Sequence, residues 1–169
     1  MAESLEEIGD YEAARDALDD LWPAIGERPN LEGLDQRTAA EVLLRVGTLT
    51  GWIGSSRQIE GTQGVAKDLI SESIAIFESL QEIKRVAEAQ TEIALCYRRE
   101  GALDEARVWF GEALSRLSDD DGDLKAVALL RSSVLEQVAN RLSDALYILK
   151  KAAPLFEASE NHTLKRKIS

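Results

Sequence analysis

Histidine is almost missing from this chain. His162 is the only one, so no histidine-based triad and no histidine-rich metal site can be assembled from these residues alone. Cysteine is equally scarce: the single Cys96 excludes a disulfide within the chain and fits a reducing compartment. It sits beside the packing face of a predicted helix, where it reads as a buried structural thiol, with Arg98 and Arg99 the only nearby bases that could activate it. No stretch approaches the roughly 20 apolar residues of a membrane span. The acidic start (Glu3, Glu6, Glu7) is unlike the basic opening of a signal peptide, so a cytoplasmic location without a membrane partner is expected. The Asn161-His162-Thr163 sequon is then accidental.

Positive charge is also in short supply. Thirty-one acidic side chains against 20 Lys and Arg give a net charge of −11, which argues against nucleic acid as a partner, because phosphate binding needs a basic face. Gly47, Gly51 and Gly54 fall at helical spacing and lack the Lys-Ser/Thr of a phosphate-binding loop. Acidic pairs such as Glu6/Glu7 and Asp19/Asp20 lie on polar helix faces, with no apolar pocket to raise a pKa. These absences lead to an expectation of a non-catalytic protein with no cofactor and no metal.

What the chain has instead is helix-forming residues in a repeating order. Only three prolines interrupt long stretches rich in Ala, Leu, Glu and Arg. From Gln90 to Leu114 the residues Gln90, Ile93, Ala94, Tyr97, Gly101, Leu103, Ala106, Phe110, Ala113 and Leu114 are spaced as a helix, a turn and a second helix. Ala94 and Ala106 are small where two helices approach closely, Tyr97 and Phe110 fill the gaps beside them, and Gly101 supplies the turn. The pattern resembles the tetratricopeptide repeat.

Further copies of the turn and second helix follow once this register is set. They are Gly9, Tyr11, Ala14, Leu18 and Leu21; Ala66, Ile70 and Ser73, after a first helix marked by Leu43, Val46 and Gly47; and Asn140, Leu142, Ala145, Leu149 and Ala152. The marker alanines Ala14, Ala66, Ala106 and Ala145 stand 52, 40 and 39 residues apart, all beyond the unit of about 34. Seven extra residues lie within Ser55 to Val65, where longer helices, an extended turn or both are expected. Another excess is the acidic link from Ser118 to Asp123. It lacks the ligand spacing of a calcium loop and reads as an exposed turn capping the next helix. Periodicity predicts helices over 2–8, 11–25, 36–53, 57–80, 82–100, 103–117, 123–139 and 142–158, with Pro154 kinking the last helix or ending it early.

The resemblance covers most of residues 9–158. It is strong in the third repeat and weak in the first helix of the fourth, where Ser132, Ser133 and Glu136 replace the usual apolar, small and aromatic set. It implies an all-α fold of antiparallel helix pairs stacked as a right-handed α-solenoid in one domain over 1–169. The parts are a half repeat over 1–25, repeats at about 36–80, 82–117 and 123–158, and the start of a further helix at 160–169. Such arrays bind protein or peptide segments along the groove of their first helices. Carried onto this chain, the groove falls on Leu44, Thr48, Gly51 and Trp52; on Thr91, Leu95, Arg98 and Arg99; and on Leu130, Val134, Gln137 and Val138. Of these, Thr48, Gly51, Trp52, Thr91, Arg98, Arg99 and Gln137 are the candidate peptide-binding residues, with Trp52 and the arginines as anchors for an acidic or aromatic peptide. The Lys/Asn set with which chaperone-binding members clamp a terminal carboxylate is missing, so that partner class is not expected. Gly51 either admits a ligand or second backbone beside Trp52 or marks a helix bend. The polar segment 51–63 is either a tolerated irregularity or a site.

The spacing of about 40 residues is similar to that of arrays in bacterial signalling and transcription regulators and in eukaryotic polarity adaptors. A protein-binding adaptor or scaffold is therefore expected, and alternatively a sensor or regulatory N-terminal arm of a larger bacterial protein. Charge is uneven: residues 1–35 hold eleven acids against two arginines, and residues 150–169 hold five bases against two acids. With an unfinished last helix and apolar Leu149, Leu155, Phe156 and Leu164 at the end, self-association or a continuing chain is expected.

Overall fold

The computed structural model of this chain describes residues 10–159. The helix expected over 2–8 and the helix start expected at 160–169, with Leu164, lie outside the described residues. Those described form α1 (Tyr11–Asp16), α2 (Gln36–Ser56), α3 (Thr62–Ser79), α4 (Ile83–Arg99), α5 (Leu103–Arg116), one turn of 3-10 helix (Asp119–Asp121), α6 (Gly122–Val138) and α7 (Leu142–Ala158), with no strand among them. They belong to two compact units, one ending at Arg85 and the other beginning at Val86.

In the first unit α2 and α3 form an antiparallel hairpin. Asp35 caps α2, its carboxylate accepting from the Thr38 backbone N–H at 3.0 Å and the Thr38 hydroxyl at 2.6 Å. These hydrogen bonds hold its pKa below the usual carboxylate value. Two glycines seven residues apart set how closely the hairpin packs. A Cβ on Gly47 would stand 2.6 Å from Ile70 Cγ1 and 3.1 Å from the Ala66 carbonyl oxygen, so a residue without a side chain fits there. A Cβ on Gly54 would overlap the whole Thr62 side chain. Gly54→Ala is therefore expected to cost about 1–3 kcal/mol as overpacking, outweighing the roughly 1 kcal/mol that alanine gains over glycine in a helix. Thermal unfolding of the single variant and of the Gly54→Ala/Thr62→Gly pair measures this; a single variant as stable as wild type would show that the helices do not meet there.

Two predicted helices differ here. The one expected over 11–25 ends at Asp16, and the chain then turns repeatedly up to α2. Pro23 disfavours helical backbone at Trp22, the residue before it. Trp22 instead buries its ring completely and donates its indole N–H to the Glu27 carbonyl at 3.2 Å. This segment is fastened to α3 by Arg28, whose guanidinium bonds both carboxylate oxygens of Glu72 at 2.6 and 2.7 Å and lowers the pKa of Glu72. The second difference lies at the extra residues, where both expected devices occur. Helix α2 runs on to Ser56, and a turn with positive φ at Gln58 (55°) and Gly61 (78°) delays α3 to Thr62 rather than 57.

In the second unit the repeat pattern becomes packing. Ala94, Leu95, Ala106, Phe110 and Leu135 form one buried cluster with Tyr97, Leu103 and Trp109 at its edge, so Tyr97, Ala106 and Phe110 gather as their spacing predicts. Gly101 and Asn140, aligned as turn residues, both take positive φ, at 80° and 58°, a region Gly and Asn tolerate best. The acidic link is an exposed cap: Asp121 accepts from the backbone N–H and the hydroxyl of Ser118, both at 3.0 Å, and α6 starts at Gly122.

Helix α7 does not end early at Pro154, as one expectation had it; it continues to Ala158. Ala152 and Phe156 are buried with Ala126 and Leu129 of α6, and that burial holds the last turn despite the hydrogen bond that proline removes.

Candidate functional site

The seven candidate residues divide between the units. Thr48, Gly51 and Trp52 lie on α2, in the first, and Thr91, Arg98, Arg99 and Gln137 in the second. On α2, Thr48 and Gly51 are buried. The Gly51 carbonyl accepts from the Gln63 side-chain amide at 2.7 Å. Thus Gly51 and Gln63, singled out as part of an irregular segment, meet where α2 and α3 turn. Trp52 is half-buried, its ring stacked on Tyr11 with centroids 4.0 Å apart and planes 18° apart. This stack of aromatic faces engages one face of Trp52 with its own chain. Tyr11 was legible in the sequence as a repeat residue but not as the partner of Trp52.

In the second unit α4 and α6 run side by side in the same direction. Three levels show this in order along both helices: Ala87 with Ala128 in one buried cluster, Glu92 with Arg131 in an ion pair of 2.5 Å, and Leu95 with Leu135 in another cluster. Above these levels α4 ends with Arg98 and Arg99, and α6 ends with Gln137 and Val138. Arg98 and Arg99 are half-buried, and Gln137 and Val138 are exposed. Thr91, about two turns below, is buried and donates its hydroxyl to the Ala87 carbonyl at 2.9 Å, so it serves its own helix.

The electrostatics at this level are lopsided. Glu92 is buried and engaged by Arg131. Glu136 is buried and gripped by Arg107 Nε at 2.6 Å and Nη2 at 3.0 Å, with Arg141 at 3.5 Å. Arg107 is consequently raised above its usual pKa, chiefly by the hydrogen bonds to Glu136. Arg98 is lowered, first by desolvation and then by repulsion from Arg99 and Arg131, against which Glu92 is the one attraction.

The apolar surface expected at the end of the chain lies elsewhere. Phe156 is only 1% exposed, because it fills the α6–α7 core, and Leu149 and Leu155 are half-buried. The large apolar residues more than half exposed are Val108 on α5 and, at the α6–α7 turn and along α7, Val138, Leu142, Leu146 and Tyr147 at 54–63%. Among the described residues no group of three or more His, Cys, Asp or Glu side chains is placed to hold a metal ion, and no helix is long and apolar enough to cross a membrane.

Compared with models of known protein families and with curated proteins, the chain matches none.

Proposed function

We propose that this chain is a non-catalytic interaction module of tetratricopeptide type, its helix pairs stacked as a right-handed solenoid, which binds a segment of another protein. The observation that supports this best is the apolar row Val138, Leu142, Leu146 and Tyr147 at the α6–α7 turn and along α7. A single exposed leucine is ordinary; four large apolar side chains together on a surface this rich in charge mark an interaction site. Lys150 and Lys151 stand beside the row, Lys151 Nζ 4.4 Å from the Tyr147 ring centroid, while Arg141 is paired with Asp144 at 2.8 Å. Apolar residues with two lysines at one end suit an amphipathic helix that carries acids beside its apolar stripe.

Selection of peptides from a displayed random library on the purified chain tests the proposal. The selected peptides are expected to show apolar residues at helical spacing flanked by Asp or Glu, and to lose binding to a Leu142→Asp/Leu146→Asp variant. Thermal stability should be unchanged in that variant, because both side chains stand outside the core. Binders indifferent to the double substitution, or a library that yields none, would reject the proposal.

A further inference from the structure

We infer that the outward face of α5 and α7 pairs with a second copy of this chain across a two-fold axis, Val108 and Glu112 of each copy meeting Tyr147 and Lys151 of the other. The two helices carry the matching halves of such a contact. On α5, Val108 is 63% exposed and shares a stripe of exposed residues with Glu105 and Glu112, three and four positions from it, while Asp104 is taken by Arg107. On α7, Tyr147 is 60% exposed with Leu146 beside it, and Lys150 and Lys151 follow about one turn later. Lys151 leans back over the Tyr147 ring, its Nζ 4.4 Å from the centroid. One helix thus presents an apolar residue between acids, and the other an apolar pair beside lysines.

Ala87 shares a buried cluster with Ala113, and Ala94 shares another with Ala106, so α4 and α5 are antiparallel. Ala126 and Leu129 pack with Ala152 and Phe156, and Glu136 lies by Arg141 at the turn, so α6 and α7 are antiparallel too. With α4 and α6 parallel, α5 and α7 run in one direction, and Leu114 of α5 packs against the α6–α7 cluster. Val108 and Tyr147 each follow a buried alanine, Ala106 or Ala145, by two positions, which turns both away from the buried faces. A two-fold axis along the helices therefore sets α5 on the α7 of the second copy level for level, Val108 against Tyr147 and Glu112 against Lys151. The contact occurs twice, as in any closed isologous pair. The net charge of −11 opposes association at long range, but at physiological salt that field is screened beyond about 8 Å, whereas opposite charges meet here at contact. The pairing rests on the proposed role of the α7 row as an interaction surface, and a second copy covers its Tyr147 edge while no other protein is bound.

Sedimentation equilibrium of the full chain at about 5 to 500 μM in about 0.15 M salt reads the pairing, since the dimer fraction follows mass action. The mass is expected to rise from that of the 18.6 kDa monomer towards twice that value. Glu112→Lys and Lys151→Glu each set like charges opposite one another and are expected to weaken the dimer about tenfold or more. Glu112→Lys/Lys151→Glu restores opposite charges at both contacts and should recover an affinity within about threefold of wild type. Val108→Asp should be monomeric with an unchanged melting temperature, because the side chain stands outside the core. A wild-type chain monomeric at every concentration, a dimer that Val108→Asp leaves intact, or a double variant no tighter than either single one would each overturn the inference. Peptide selection repeated on the Val108→Asp variant separates the two proposals. Peptide binding by a chain whose wild type never dimerises removes the pairing alone; a dimer with the expected variant pattern and no peptide binder removes the proposed function alone.

Discussion

Phe110→Ala is expected to destabilise the protein by about 3–5 kcal/mol, the usual cost of truncating a fully enclosed phenylalanine. Its ring is 1% exposed and lies in one buried cluster with Ala94 and Leu95 of α4, Ala106 one turn earlier on α5, and Leu135 of α6. Three helices thus meet on one side chain. The small residues around it cannot expand to refill the space, so most of the cavity persists. Chemical denaturation followed by circular dichroism measures the loss; a variant within about 1 kcal/mol of wild type would show that these helices do not converge there. Phe110→Leu, which keeps much of the volume, should cost distinctly less.

Arg107→Met ranks second, at an expected cost of about 2–3 kcal/mol. Removing one partner of a buried pair commonly costs about 3–5 kcal/mol because a charge is left without compensation. The lower figure applies here because the Arg107 side chain is 29% exposed and Arg141 still stands 3.5 Å from Glu136. The same reasoning predicts that Arg107→Met/Glu136→Leu regains most of the loss, since the double variant buries no unpaired charge. A double variant less stable than Arg107→Met alone would show that Glu136 is held by something other than this pair.

Glu136 also shows where the sequence pattern stops being informative. In the fourth repeat Ser132, Ser133 and Glu136 occupy places where the third has Ile93, Ala94 and Tyr97, and by composition alone the resemblance fades there. All three polar residues are nevertheless buried. Ser133 donates to the Leu130 carbonyl at 2.7 Å, and Glu136 is met by an arginine from α5. A buried polar residue is tolerated when its partner is present, and a partner 29 positions away in the chain, as Arg107 is, leaves no periodic trace.

The candidate site divides along the same line. The repeat spacing singled out Arg98, Arg99 and Gln137, because residues about 39 apart are expected on equivalent turns of successive first helices. That Glu92 is taken by Arg131, 39 positions away, did not follow, since Arg98 and Arg99 are nearer to it in the chain. Trp52 is the converse case. Its place on α2 was legible, but its ring contact is with Tyr11, and no periodicity links a short first helix to the end of the next.

What the sequence determined by itself was therefore local and periodic. Alanine-rich stretches without proline make helices, Gly101 and Asn140 make turns, and small and aromatic residues in alternation define which faces pack, because each of these depends on neighbours within a few residues. Tertiary structure alone decided which charges are paired and which apolar side chains are left uncovered. Phe156 and Leu146 lie on the same helix and are similarly apolar, yet one is enclosed and the other 54% exposed. Helical periodicity says that a face is apolar; whether another helix reaches it depends on where the chain returns, and that is a property of the whole packing.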